Sequence, residues 1–138
     1  MKIVTYIAAV VLLLGAACSQ PKTVVGHLGQ TISITDSTLS ADTADTLRFG
    51  HMRSGEIAVK RITLRNDTAE PIVIIRHETT CHCASFEYDR RPIVPGGETN
   101  IECTFDSRGT RGWQMKLANF YISGAAHPIR IFIEADIE

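Results

Sequence analysis

No stretch of this sequence is apolar for long enough to cross a bilayer. The longest such run, Ile3 to Leu14, falls well short of the roughly 20 residues that a spanning helix needs. Acidic and basic residues nearly balance, at 15 and 14, and no basic stripe gathers on any segment, which argues against nucleic acid as a partner. The only basic groupings, Arg90-Arg91 and the set Arg108, Arg111 and Lys116, fall in polar, Gly- or Pro-bearing stretches that read as solvated loops. Paired acids at catalytic spacing, a nucleophile elbow, a Gly-rich phosphate loop and a His-Glu-x-x-His pattern are all missing, so hydrolysis and group transfer have no candidate machinery. Asp89 and Asp106 are isolated acids in turn sequences. No cofactor fingerprint and no small-molecule substrate signature is present. Internal repeats, low-complexity tracts and any helical period beyond the N-terminal run are also absent.

That N-terminal run carries the first positive signal. Met1-Lys2 is cationic, Ile3–Leu14 is apolar, Gly15, Ala16 and Ala17 are small, and Cys18 follows, which is the grammar of a secretory leader. A cysteine directly after the small residues predicts cleavage as a bacterial lipoprotein, with residues 1–17 released and Cys18 acylated. Gly15 stands where the usual leucine of such a site would be, with Leu14 one step back. Ordinary cleavage after Ala17 is the alternative and would leave a soluble protein. Residues 18–30, with Pro21, Gly26 and Gly29 and no sustained period, suit a tether to the folded body. No acidic cluster follows Cys18, so the expected location is the outer membrane, lipid-anchored and facing the periplasm.

Residues 31–138 break into strand-like units separated by turn signals at intervals of roughly 8 to 12 residues, as in a β-sandwich. Thr31–Thr35 and Thr46–Phe49 come first. In Glu56–Arg65 the pair Ile57 and Val59 is out of phase with Ile62 and Leu64, which predicts a bulge near Lys60. Ile72–Ile75 is apolar on both faces and reads as a central strand. Thr99–Phe105 alternates, with Ile101, Cys103 and Phe105 on one face, and Ile129–Ile137 has the most regular two-residue period in the chain. Met115–Ile122 completes the set. The expected fold is an all-β, Ig-like antiparallel sandwich of about seven or eight strands. Its core is predicted to hold Phe49, Ile62, Leu64, Ile72, Ile74, Ile101, Phe105, Phe120, Ile122, Ile131 and Ile133.

Four cysteines are present. With Cys18 capped by lipid, Cys81, Cys83 and Cys103 remain in an oxidising compartment, and three thiols cannot all pair within one chain. Cys103 lies between Ile101 and Phe105 on an apolar face and is expected to be a buried free thiol. Cys81-His82-Cys83 is the concentrated chemistry of the chain and the candidate disulfide or redox pair. An extended tripeptide would hold the two Cα atoms about 6.6 Å apart, near the upper limit for a disulfide, so a bond there is expected to be strained and readily reduced. His82 could instead lower a thiol pKa or join Cys81 and Cys83 as a weak metal site. Against a metal, no second ligand pair occurs at metal spacing, and His27, His51, His77 and His127 are scattered singles. Trp113 reads as a packing anchor or an exposed loop aromatic.

Several punctuation points taken in order resemble DUF1573, a bacterial family of Ig-like domains of unknown function. They are Phe49-Gly50, Gly55-Glu56, Asn66, Glu70-Pro71, Cys81-His82-Cys83, Pro95-Gly96-Gly97-Glu98, Thr104-Phe105-Asp106, and Gly109 to Gly112 followed by Gln114 and Lys116. The resemblance spans about Leu47 to Ile137. The family's Cys-Gly-Cys-Thr appears here as Cys81-His82-Cys83-Ala84. The resemblance implies a sandwich like those of major sperm protein and the periplasmic pilus chaperones, in exported proteins of Bacteroidetes type that are often lipoproteins. It implies no activity. The expected function is therefore a non-catalytic interaction or scaffolding module, held to the membrane by its lipid and binding an envelope protein. The competing reading is thiol-redox or copper handling by Cys81-His82-Cys83.

Overall fold

In a computed structural model, residues 23–24 and 29–138 are described; the predicted leader, Cys18 and most of the tether lie outside them. Two sheets face one another. The first contains β1 (Thr23–Val24), β2 (Gln30–Ile34), β4 (Ile57–Asn66), β7 (Glu98–Asp106) and β6 (Ala84–Tyr88), with β1 and β2 sharing one side of β4. The second runs β3 (Ala44–Met52), β9 (Ile129–Ile137), β8 (Gly112–Ile122), β5 (Ile74–Thr79).

The two-residue period decides which side chains enter the space between the sheets. Along β9, Ile129, Ile131, Ile133, Ala135 and Ile137 are buried while the residues between them are half-exposed. Along β7, Ile101, Cys103 and Phe105 point inward and meet Ala118, Phe120 and Ile122 of β8 in one core. Phe105 lies 5.5 Å from the Phe49 ring, and all eleven residues expected in the core are buried there. Full burial of each large aliphatic or aromatic side chain contributes roughly 1.5 to 3 kcal/mol, so this seam is the main source of cohesion.

The all-β sandwich forms as expected, but its sheets are mixed rather than purely antiparallel. β2 pairs parallel with β4, and β3 parallel with β9. No bulge occurs near Lys60, because the β4–β7 register is continuous from Ile57 to Arg65. Ala58 takes the inward position in phase with Ile62 and Leu64, and half-buried Val59 points outward in register with β1. The bulges fall instead in β3, between Arg48 and Gly50, and in β5, between Ile74 and Arg76. Gly50 has φ +75°, a conformation that needs glycine.

Ile72–Ile75 is not a central strand. Ile72 makes an isolated bridge to Ile93, β5 begins at Ile74 on the edge of its sheet, and Ile75 is 54% exposed. A five-residue helix, α1 (Asp36–Ser40), also forms. It starts where the Thr35 hydroxyl accepts the Thr38 N–H while the Thr38 hydroxyl accepts that of Thr35.

At one end of the sandwich a polar group ties three segments together. Asn66 is fully buried; its Nδ2 donates to the carbonyls of Glu70 and Ile93, both at 2.8 Å, and its Oδ1 accepts the N–H and the hydroxyl of Thr68. Its own N–H and C=O bond Gly97 and Gly96 of the next turn. A Cβ at Gly97 would come within 2.9 Å of the Val94 carbonyl, so that turn closes only with glycine there. This explains why Asn66 and Pro95-Gly96-Gly97 occur together in the sequence.

Candidate functional site

The chain leaves β5 at Thr80, crosses to the other sheet through Cys81-His82-Cys83, and enters β6 at Ala84. The tripeptide is a turn rather than an extended segment, with the Ala84 N–H reaching back to the Cys81 carbonyl at 3.5 Å. This turn brings the two Cα atoms to 5.2 Å, inside the ordinary disulfide range, and Cys81 and Cys83 are bonded to each other. The Cys83 N–H donates to Cys81 Sγ at 3.0 Å, and the Cys83 carbonyl accepts from the Asp106 N–H at 2.8 Å. Cys83 packs against the core, whereas His82 is exposed. Both sulfurs are bonded to each other, and among the described residues no three His, Cys, Asp or Glu side chains converge.

Cys103 is separate from this pair. It is a free, fully buried thiol in register with Phe86 and Lys60 of the neighbouring strands. Burial pushes its pKa from the ordinary 9.0 up to about 12. Iodoacetamide is therefore expected to leave Cys103 unmodified in the native protein and to modify it in urea. Because the folded pKa is raised, the neutral thiol's contribution to stability is complete below pH 9.0 and is lost as pH rises toward about 12. Over that window Cys103→Ala should remove a slope of about 1.4 kcal/mol per pH unit from the unfolding free energy. Rapid native alkylation of Cys103 would contradict both statements.

His77, a scattered single in the sequence, joins a cross-sheet aromatic group. Its ring lies 5.3 to 5.6 Å from those of Phe86, Tyr88 and Phe120, and its Nδ1 is 3.0 Å from the Tyr88 hydroxyl. Burial, reinforced by the Arg90 charge, lowers its pKa. Nearby, a cleft of about 190 Å3 is lined by Asp89, Arg91, Pro92, Ile93, Glu98 and Thr99. It is smaller than the roughly 300 Å3 at which ligand pockets begin, and Asp89 and Arg91 pair with each other across it.

One side of β8 is only partly covered by a neighbouring strand among the described residues. β9 pairs with β8 from Gly112 to Phe120, but on the other side β5 reaches only from Ile122 to Ala118. Thr80 adds the last contacts, giving its N–H to the Leu117 carbonyl at 3.0 Å and accepting the Leu117 N–H on its hydroxyl at 3.1 Å. By two-residue alternation the N–H and C=O groups of Met115 and Trp113 point to that same side, where no strand lies among the described residues. Their side chains stand on the outer face, 47% and 58% exposed, in line with Leu117.

The other edges are blunted in familiar ways. β2 and β6 are five residues long, β3 carries the Gly50 bulge, and β5 presents Arg76 and Glu78. The spacing of Cys81 and Cys83 marks them as a candidate pair in the sequence, but as an extended tripeptide rather than the turn found here. Sequence reasoning missed the adjoining edge, because that feature depends on where β5 stops.

A family model described as "Protein of unknown function (DUF1573)" matches residues 39–137. The chain belongs to this family. Among solved structures, the DUF1573 chain is similar to a Porphyromonas gingivalis W83 protein of unknown function, at 24% identity and a TM-score of 0.59, over 66% of this chain and 43% of that one. It is also similar to two Vibrio cholerae proteins. One is the secreted serine protease VesC, at 12% identity and TM-score 0.53 over 65% of this chain and 21% of VesC. The other is the VesB protease, at 15% and 0.52 over 69% of this chain and 30% of VesB. The DUF1573 chain thus spans less than half of each of these proteins, and the likeness is one of fold. No curated protein matches the sequence.

Proposed function

We propose that this protein is a non-catalytic interaction module, anchored through acylated Cys18 to the outer membrane and facing the periplasm, which takes up an extended segment of an envelope protein along β8. The leader sequence and the cysteine after it support the anchor. The observation that carries the binding reading is the unpaired edge at Trp113 and Met115, flanked by their exposed side chains. Strand addition at such an edge draws affinity from main-chain hydrogen bonds and selectivity from alternate side chains.

Trp113 is the sole tryptophan of the chain, so its fluorescence reports on the site directly. A short acetylated peptide alternating valine with aspartate should shift that emission to the blue and saturate. Met115→Pro removes an N–H that faces away from β9, so the β8–β9 ladder survives, yet peptide affinity should fall by about tenfold or more. Met115→Asp should weaken binding through like charge. Unchanged affinity in both variants would place binding elsewhere.

A further inference from the structure

We infer that the segment taken up on β8 is acidic and carries a cysteine at the end next to Cys81, and that the Cys81–Cys83 disulfide exchanges with that cysteine, turning capture into a covalent link. This inference rests on the strand-addition reading above. Thr80 is the last residue to bond β8, through Leu117, and Cys81 is the next residue before the chain turns away. The disulfide therefore stands at the mouth of the open slot beside Gly112–Lys116. A strand entering the slot in line with β5, antiparallel to β8, would bring its first residue to within about one or two residue lengths, each about 3.3 Å, of Cys81.

Charge selects the occupant. Glu134, in register with Met115, is paired with Arg48, and Asp136, in register with Trp113, has its Oδ2 3.3 Å from His51 Nδ1. Arg111 and Lys116, at the two ends of the slot, take no part in the ion pairs among the described residues. An acidic segment answers these two cations, and a thiol held beside Lys116 loses its proton more readily.

The step balances without an outside oxidant. The partner's thiol gives its proton to water, and its thiolate attacks Cys81 Sγ and forms a new sulfur–sulfur bond there. The Cys81–Cys83 bond breaks with its electron pair going to Cys83 Sγ, which then takes a proton from water. Attack falls on Cys81 because Cys83 packs against the core and is tied through its carbonyl to Asp106. Opening the bond costs the fold little, since a link between residues two apart restrains little of the unfolded chain. Return of Cys83 onto Cys81 Sγ releases the partner, so the link is reversible.

The test uses the full oxidised chain and the acetylated valine–aspartate peptide with an N-terminal cysteine. A serine version is the docking control, and N-acetylcysteine is the unguided thiol. Acid-quenched, non-reducing mass spectrometry should find one peptide per chain, attached at Cys81 with Cys83 free. Adduct should form at least about tenfold faster than with N-acetylcysteine, an advantage lost in Met115→Pro. Adduct at Cys83, or no acceleration while the serine peptide still shifts Trp113 emission, would overturn the exchange and leave docking standing. Failure of the serine peptide to bind would remove the docking reading and this inference with it.

Discussion

Asn66→Ala is expected to lose about 4 kcal/mol of stability in urea unfolding, because the substitution strands several buried groups at once. The carbonyls of Glu70 and Ile93 lose their donor, and the N–H and hydroxyl of Thr68, itself 6% exposed, lose their acceptor. Each buried group left unmade costs roughly 1 to 3 kcal/mol, and small domains hold about 5 to 15 in total. The variant should therefore sit close to its unfolding threshold. Asn66→Asp keeps the acceptor but sets a buried carboxylate against the Glu70 and Ile93 carbonyls, so at pH 7 it should lose at least as much, and less as the pH falls and the carboxyl takes up a proton. A loss under about 1 kcal/mol in Asn66→Ala would mean that water replaces the side chain, and that the end of the sandwich is not held by it.

Phe105→Ala is expected to cost about 3 to 5 kcal/mol, the range for emptying a buried aromatic site. Phe105 is fully buried on β7, packs on Phe49 from the opposite sheet, and stands in register with Ala58 and Ala84. Those small neighbours cannot expand to fill the space. Phe105→Leu, which keeps most of the volume, should cost less than about 1.5 kcal/mol. Equal losses for the two substitutions in urea unfolding would show that ring contact, rather than filled volume, holds the sheets together.

The strands that packing makes regular were the ones legible in the sequence. Along Thr99–Phe105 and Ile129–Ile137 one face is buried and the other wet, so the alternation is written directly in the residues. Ile72–Ile75 misled because a continuous apolar run does not distinguish a central strand from the approach to an edge strand with a bulge. In β4 the inward residue was small Ala58, so the larger Ile57 and Val59 suggested a phase break that does not exist. The parallel pairing of β2 with β4 and β3 with β9 depends on partners far along the chain, and no local period encodes it. α1 is too short to show a period and is marked only by its Thr35–Thr38 cap.

The candidate site divides in the same way. The proximity of Cys81 and Cys83 follows from spacing, and the burial of Cys103 from its apolar flanks. The exposure of Trp113 beside an unpaired edge arises only because β5 leaves the sheet at Thr80, one residue before the disulfide turn.

Hydrogen exchange at the backbone amides of Trp113 and Met115 tests the central claim most directly, because their N–H groups are the ones held open for an added strand. In the free protein they should exchange quickly while neighbouring Ala118 and Phe120 are protected, and saturating valine–aspartate peptide should slow both by about tenfold or more. Slow exchange at Trp113 and Met115 before any peptide is added, or no slowing at saturation, would contradict strand addition on β8.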